Sequence, residues 1–240
     1  MKLNYFFPYI FFILLNVMGC SINPSSKVAV TFRLPIKHSD TLIESYSSTF
    51  YKTNYKDVII YELPYRETFQ INGILQKDTI KYSFFLFHLN DKTGIYFDSL
   101  NTNNISKKNV DSLLKTSALK SLNLDTVFSI ISDSKNEIIN KNTFVKKAKI
   151  NDPGYDSVYF YFNKALLNLN FSFSQKLDSI HNSKLFKVDF IMKKSNNIND
   201  DYKNKFRVVS YEVTKCETDN KKNIEIIYQK YIQAKRNSAN

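Results

Sequence analysis

The chain is 240 residues long, and its 43% hydrophobic and 15% aromatic residues are typical of a globular protein and exclude an intrinsically disordered one. Its 4 glycines are isolated from one another, which excludes the P-loop and the dinucleotide-binding fingerprint, because both need clustered glycines. The net charge of +12 would suit nucleic acid, but the lysines are scattered and arginines are few, so we expect no nucleic-acid partner.

The first residues have the parts of a secretory signal. Lys2 precedes a short apolar run that ends at Val17, and the small residue Gly19 comes directly before Cys20. The run is shorter than the ~20 residues that cross a bilayer as a helix, so we expect no permanent membrane span here. Residues 1–19 are therefore predicted to be a signal peptide.

The end of this segment, Val17-Met18-Gly19-Cys20, resembles the lipobox of bacterial lipoproteins. The resemblance implies cleavage between Gly19 and Cys20 and attachment of a palmitate-type diacylglyceryl anchor to the Cys20 sulfur. Such an anchor holds a protein at a membrane when it carries two or more acyl chains. The alternatives are an ordinary secretory signal with an incidental cysteine and a retained helix.

In Gram-negative members of that family, the residue after the lipidated cysteine influences the destination. Ser21 follows Cys20, and no acidic cluster comes after it. The resemblance therefore implies a lipid anchor in the outer membrane, with the protein facing the periplasm.

The segment 20–27 is predicted to be a lipidated tether, and strands follow it. Apolar residues alternate from Val28 to Leu34, which is the period of a strand, and Pro35 is expected either to end it or to mark an edge of the sheet. The stretch 41–54 is ambiguous between a strand and a loop. Several antiparallel strands joined by short turns are predicted next, at 57–63 (ended by Pro64), 65–71, 74–89 and 95–97.

The second half alternates helices and strands. Asn109 is expected to cap a helix that runs to Ala118, and the turn 151–154 is the best candidate for a subdomain boundary. A further helix is predicted near the C-terminus, with Asp219 as its cap. The remaining predicted elements are strands at 126–131, 157–162, 167–173, 185–192 and 206–213 and a short helix at 175–181.

These elements predict an α+β, β-rich fold with one or more antiparallel sheets and two or three helices. We expect a β-rich subdomain with one helix at 28–150 and a second α+β subdomain at 151–240, or one continuous domain over 28–240.

No catalytic, metal-binding or cofactor-binding residue stands out. His38, His88 and His181 lie far apart in sequence, and none accompanies a recognisable nucleophile motif. The turn at Asp152 lacks the spacing of a calcium loop, and the pair Asp200-Asp201 is most simply part of a solvated loop. No cofactor is therefore predicted, and an enzyme is not expected.

Two further features remain open from the sequence. The closely spaced tyrosines Tyr51, Tyr55, Tyr61 and Tyr65 either line a ligand pocket or pack in the core. Cys216, the second cysteine, is either a reactive thiol or a small buried residue.

The functional prediction is a membrane-anchored, non-enzymatic envelope lipoprotein that acts as a binding or accessory component of an envelope complex. Its expected partners are the membrane, through Cys20, and an envelope protein or an unspecified small ligand. The alternatives are an envelope hydrolase whose site forms only in the fold and a purely structural component of the envelope.

Overall fold

Strand-forming sequences occupy most of the chain, and in the computed structural model they pair into one antiparallel sheet. The structure describes residues 26–37, 43–71, 74–102, 104–116, 124–125, 130–133, 137–150, 154–193, 208–217 and 221–237. The predicted signal peptide, Gly19, Cys20, His38, Asp152 and the pair Asp200-Asp201 lie outside these residues.

The strands, in chain order, are β1 (Ser26–Lys37), β2 (Ile43–Tyr55), β3 (Val58–Ile71), β4 (Ile74–His88), β5 (Thr93–Phe97), β6 (Ile105–Asn109), β7 (Ile130–Asp133), β8 (Glu137–Ile138), β9 (Thr143–Ile150), β10 (Tyr155–Asn163), β11 (Lys184–Met192) and β12 (Val208–Cys216). The helices are α1 (Val110–Thr116), α2 (Gln175–His181) and α3 (Lys221–Asn237), and Lys164–Leu166 forms a 3₁₀ turn.

The described strands follow the order β6-β5-β4-β3-β2-β1-β12-β11-β10-β9-β7, and β8 pairs with β9 beside this path. Every pairing is antiparallel. The two halves of the chain meet where β1 pairs with β12, with Val30 opposite Val213. A single sheet therefore runs through both predicted subdomains.

The α+β class is wrong, because the helices form no layer comparable to the sheet. Two of the three described helices have 7 residues each, which is about two turns. Only α3, with 17 residues, covers a substantial part of a sheet face. The protein is β-rich and antiparallel, as expected, but the sheet dominates its architecture.

Neither Pro35 nor Pro64 ends its strand, so the predicted break at Pro64 is wrong. The pairing of β1 with β12 stops at Arg33, so Pro35 lies where β1 has a described partner on only one side, which agrees with the expectation of an edge. β1 continues through Pro35 and β3 continues through Pro64, which lies opposite Tyr82 of β4. A strand tolerates proline where no ladder hydrogen bond needs its missing N–H. The predicted strands 57–63 and 65–71 are therefore one strand.

A second correction concerns the predicted strand 167–173. This segment contains no strand; instead its alternate residues Leu169, Phe171 and Phe173 pack against the core. An alternating pattern arises whenever a segment lies along an apolar surface, so it does not require a paired strand. The segment covers the sheet as an irregular strap.

The helices at 175–181 and at the C-terminus are confirmed, as is the cap of α1. The Asn109 side chain accepts a hydrogen bond from the Ser112 N–H at 2.9 Å, and the Ser174 hydroxyl accepts one from the Leu177 N–H at 3.0 Å. Each cap satisfies an N–H that the first helical turn leaves unpaired. Asp219 lies outside the described residues.

Two sides of the sheet are covered by different elements. On one face, α3 packs its apolar stripe of Ile224, Ile227, Tyr231 and Ala234 against β3, β4 and β5. Burial of each large apolar side chain stabilises the fold by roughly 1.5–3 kcal/mol. On the opposite face, α1 covers β3 and β4, and the strap covers a core built from β1, β2 and β9–β12.

The predicted division at residue 150 falls in the connection between β9 and β10, which pair with each other. The division into subdomains stays a prediction. No helix within the described ranges is both long enough and apolar enough to span a bilayer.

Candidate functional site

The sheet contains a fork between β2 and β3. These strands pair over only five positions, from Tyr55 opposite Val58 to Tyr51 opposite Glu62. Beyond that point β2 continues to Ile43 beside β1, while β3 continues to Ile71 beside β4. The fork is the cleft between the two diverging strands, and its volume is about 760 Å³.

Pro64 accounts for the point at which β2 and β3 stop pairing. Pro64 lies two residues beyond Glu62, the last residue of β3 that pairs with β2. Proline has no backbone N–H to donate, so a ladder that reaches it loses a hydrogen bond on one side. β3 remains paired to β4 through Pro64, and the pairing to β2 is the one that ends.

Two tyrosines close the inner end of the fork. The rings of Tyr51 and Tyr82 have centroids 5.6 Å apart, and the Lys27 Nζ lies 4.4 Å from the Tyr51 ring centre. The same ammonium group donates to Glu62 Oε1 at 2.6 Å. Burial, with smaller contributions from Tyr51 and Glu62, raises the pKa of Tyr82 to about 12. Tyr82 is therefore an uncharged hydroxyl at neutral pH.

The walls of the fork are polar but nearly free of unpaired charge. The β2 wall carries Ser45, Ser47, Ser48 and Thr49 beside Tyr46, and the β3–β4 wall carries Pro64, Tyr65, Arg66, Asp78 and Ile80. Arg66 Nε donates to Asp78 Oδ1 at 2.7 Å, and this hydrogen bond holds the pKa of the Asp78 carboxyl below its usual range. Tyr46 and Tyr65 are 41% and 39% exposed, so their rings are available to an occupant.

The predicted tyrosine group divides in the structure. Tyr51 and Tyr65 line the fork, and the ligand-pocket interpretation of these two stays a prediction. Tyr61 packs against core residues, and the Tyr55 ring contacts Tyr228 of α3 with centroids 5.5 Å apart. Core packing is therefore the correct interpretation for Tyr61.

Sequence reasoning missed Tyr46 and Tyr82 as fork residues. Tyr82 lies in β4, more than 30 positions from Tyr51, and no local pattern connects them. One feature of the sequence could have indicated the fork: residues 45–51 are rich in serine and tyrosine, which is unusual for a strand with two buried faces.

His88 lies in a polar cluster at the end of β4 and not in the fork. Its Nε2 is 3.1 Å from Asp57 Oδ2, and its Nδ1 is 3.0 Å from Asp91 Oδ2. Tyr231 and Lys235 of α3 reach the same Nδ1 at 2.8 and 2.9 Å. No serine or cysteine of the described chain contacts His88, so the cluster contains no activated nucleophile of the usual kind.

His181 has different surroundings. Its ring packs against Phe162 and Phe144, with centroids 4.5 and 5.8 Å away. It therefore contacts β9 and β10, whereas His88 contacts Asp57 and Asp91, in the turns before β3 and β5, and the helix α3. Within the described residues, no three histidine, cysteine, aspartate or glutamate side chains converge on a common point that would hold a metal ion.

A buried carboxylate links α2 to β11. Asp178 accepts hydrogen bonds from the Ser172 hydroxyl at 2.7 Å, from Lys184 Nζ at 2.8 Å and from the Leu185 N–H at 2.7 Å. These bonds compensate the carboxylate for its removal from water. We therefore assign Asp178 a structural role, in which its carboxylate holds α2 against β11.

A smaller pocket of about 490 Å³ lies beside this link and includes Lys52 of β2. Lys52 Nζ donates to the Asn170 carbonyl at 3.2 Å. Burial, followed by the neighbouring charge of Lys184, lowers the pKa of Lys52. Among the described residues, no carboxylate forms an ion pair with Lys52, and polar amides and hydroxyls line the rest of the pocket.

Cys216 is half-buried at the end of β12, and its thiol is free. Both interpretations of this residue remain predictions.

No protein-family model matches the chain. No curated protein is significantly similar to it.

Proposed function

We propose that the protein is a lipid-anchored component of the bacterial cell envelope that acts by binding a partner at the fork. Its anchor is Cys20, in the outer membrane, and the folded part faces the periplasm. The observation that carries the anchor is the sequence Val17-Met18-Gly19-Cys20 after a short apolar run. The proposed activity is binding, and no chemical step is assigned to it.

The direction of the fork supports this proposal. β1 begins at Ser26, opposite Asn54, which is at the closed end of the fork, and it ends at Lys37, opposite Ile43, at the open end. A strand of 12 residues is roughly 36 Å long at ~3.3 Å per residue. A lipid on Cys20 would therefore hold the closed end nearer the membrane, and the fork would open away from it.

The distance between anchor and sheet is also limited. Six peptide units separate Cys20 from Ser26, and these span at most about 21 Å when fully extended. An anchored molecule would thus keep its closed end within a short distance of the head groups. The open end would lie within reach of another envelope component.

Metabolic labelling tests the anchor. Cells that express the wild type, Cys20→Ala or Cys216→Ala would be grown with an alkyne analogue of palmitate, and the purified proteins would be assayed for the label. We expect label and membrane sedimentation for the wild type and for the matched control Cys216→Ala, and loss of both for Cys20→Ala. An unlabelled, soluble wild type would refute the anchor.

Photo-crosslinking tests binding at the fork. A photoreactive phenylalanine analogue would replace Tyr65 in the fork or, as the control, Leu89, which is 76% exposed at the end of β4. We expect an adduct of defined mass from position 65 in intact cells and none of that mass from position 89. Equal labelling from both positions would show that the fork is not the binding site.

A further inference from the structure

We propose that the occupant of the fork is an extended segment of a partner protein that adds to β2 as a further strand. The inference rests on the proposed binding at the fork and specifies the chemistry of the partner. The segment would pair with β2 over Ser45–Phe50, while the β3–β4 wall contacts its side chains.

The backbone of β2 supplies the first argument. From Ile43 to Phe50, β2 is paired with β1 on one side, and no described strand pairs with its other side. In an antiparallel strand, successive residues direct their N–H and C=O groups to opposite sides. A row of donors and acceptors therefore faces the fork, and another extended chain meets them at matching intervals.

The sequence along this edge supplies the second argument. Natural sheets protect free edges with lysine, proline, bulges or very short strands. The outer edge strand β6 carries Lys107 and Lys108, and the other outer strand, β7, has 4 residues. The stretch Ser45–Phe50 has neither a charged residue nor a proline. The inner edge of the fork therefore lacks the usual protection.

The residues of β3 explain why the partner segment would pair with β2 and not with β3. β3 contains Pro64, which removes a donor, and Arg66, whose side chain crosses to Asp78. A ladder along β3 would lose a hydrogen bond at the proline. The rings of Tyr65 and Tyr82 and the side chain of Ile80 on this wall offer side-chain contacts instead.

The residues that line the fork also indicate which residue types the added segment would contain. The charge pair in the fork is internally neutralised, and the other lining side chains are hydroxyls, aromatic rings and aliphatic groups. A charged side chain entering the fork would lose hydration without gaining a free counter-charge. We therefore expect about six uncharged residues, with an apolar or aromatic side chain at alternate positions.

Stepwise crosslinking tests strand addition directly. The photoreactive residue would be placed in turn at Ser45, Ser47 and Thr49, which share one face of β2, and at the exposed Thr214 of β12 as a control. A partner segment that pairs with β2 as a strand advances by the same distance per residue as β2. We expect the three adducts to map to one short partner segment, with the attachment point moving by two residues at each step.

A synthetic peptide of the mapped segment provides the second measurement. Its affinity for the purified protein would be compared with that of a peptide whose amides are N-methylated at the residues that face β2. Because the methyl group removes the N–H donors and crowds the ladder, we expect at least about tenfold weaker binding. Ser47→Lys should weaken the unmodified peptide similarly, while Thr214→Lys should not.

The outcomes separate the two proposals. Adducts that form at the fork but map to scattered residues of a folded surface, or equal affinity of both peptides, would overturn strand addition and leave binding at the fork intact. An absence of adducts from all three positions would overturn both. The labelling assay at Cys20 reports on the anchor independently. Thermal unfolding of each variant by circular dichroism would verify that it is folded.

Discussion

The Tyr231 hydroxyl lies 2.8 Å from Nδ1 of His88, although 143 positions separate the two residues in the chain. This contact joins α3 to the end of β4. Lys235, one turn further along α3, lies 2.9 Å from the same nitrogen and donates to Asp91 Oδ2 at 2.8 Å. Asp91 Oδ2 also lies 3.0 Å from this Nδ1, and Asp57 Oδ2 lies 3.1 Å from Nε2 on the other side of the ring.

Tyr231→Phe tests the contribution of this hydroxyl. The ring is fully buried, so phenylalanine keeps the packing and leaves His88 without one hydrogen-bond partner. We expect the free energy of unfolding to fall by about 1 kcal/mol, the usual net contribution of such a hydrogen bond. Urea denaturation measures it, with Tyr46→Phe, an exposed tyrosine, as a control that should change little.

The same cluster predicts a dependence of stability on pH. Burial alone would raise the pKa of Asp91, but hydrogen bonds from Lys235 and from His88 outweigh it and lower the pKa to about 2. Because the pKa is lower in the folded state than in the unfolded chain, where it is ~3.9, the carboxylate contributes stability above that value. This contribution is lost as the pH falls from about 4 to about 2.

The measurement compares wild type with Asp91→Asn by denaturation at several pH values. The wild type should be the more stable protein at pH 6, and the difference should shrink between pH 4 and pH 2. A difference that stays constant over this interval would show that Asp91 does not titrate as the contacts imply. Asp111→Asn, at an exposed position in the first turn of α1, is the matched control.

Asp178 and Lys184 predict a coupled effect on stability. Asp178→Ala would leave the Lys184 ammonium buried without its counter-charge and remove three hydrogen bonds, so we expect a loss of about 3–5 kcal/mol. Lys184→Met should cost less, because the Asp178 carboxylate keeps its bonds from Ser172 and Leu185.

The double variant measures the coupling. If the pair interacts as described, Asp178→Ala combined with Lys184→Met should be less destabilised than the sum of the single changes, by roughly 0.5–3 kcal/mol. Strictly additive effects in chemical denaturation would contradict a direct interaction between the two side chains.

Gly94→Ala is expected to destabilise the sheet where β5 pairs with β4. A Cβ at this position would lie 2.5 Å from Cε2 of Phe85 and 2.8 Å from the Leu86 carbonyl oxygen. Phe85 is fully buried and cannot move without disturbing the core. Overpacking of this kind costs about 1–3 kcal/mol, which thermal or urea unfolding would detect.

Leu89→Ala is a suitable control for this substitution, because Leu89 is 76% exposed and lies close by in the chain. We expect it to change the free energy of unfolding by less than ~0.5 kcal/mol. A Gly94→Ala protein as stable as this control would mean that the backbone of β5 moves away from Phe85 at little cost.

Local physics accounts for what was predictable in the fold. The alternation from Val28 to Leu34 and the apolar run before His88 each identify a strand, because burial on one or both faces imposes its own pattern. The cap at Asn109 and the apolar stripe of α3 were readable for the same reason: capping and helical periodicity involve neighbours in sequence.

The prolines and the strap show where local reasoning fails. Whether Pro35 or Pro64 ends a strand depends on which side of the strand its missing N–H faces, and that is a property of the neighbouring strand. Leu169 and Phe173 alternate as a strand would, but the surface they cover decides their conformation. In both cases the prediction used only residues that are neighbours in sequence, whereas contacts with residues distant in sequence decide the conformation.

The sequence by itself determined that the protein is rich in antiparallel strands, that it lacks the phosphate-binding glycine loops, and that its first twenty residues resemble a lipoprotein signal ending at Cys20. Tertiary structure alone decided that one sheet runs through the chain and that it splits between β2 and β3. The reason is that the pairing of β1 with β12, and the meeting of Tyr51 with Tyr82 in the fork, depend on contacts between distant residues. Such contacts leave no periodicity in the sequence, because the spacing between their partners is set by the whole fold.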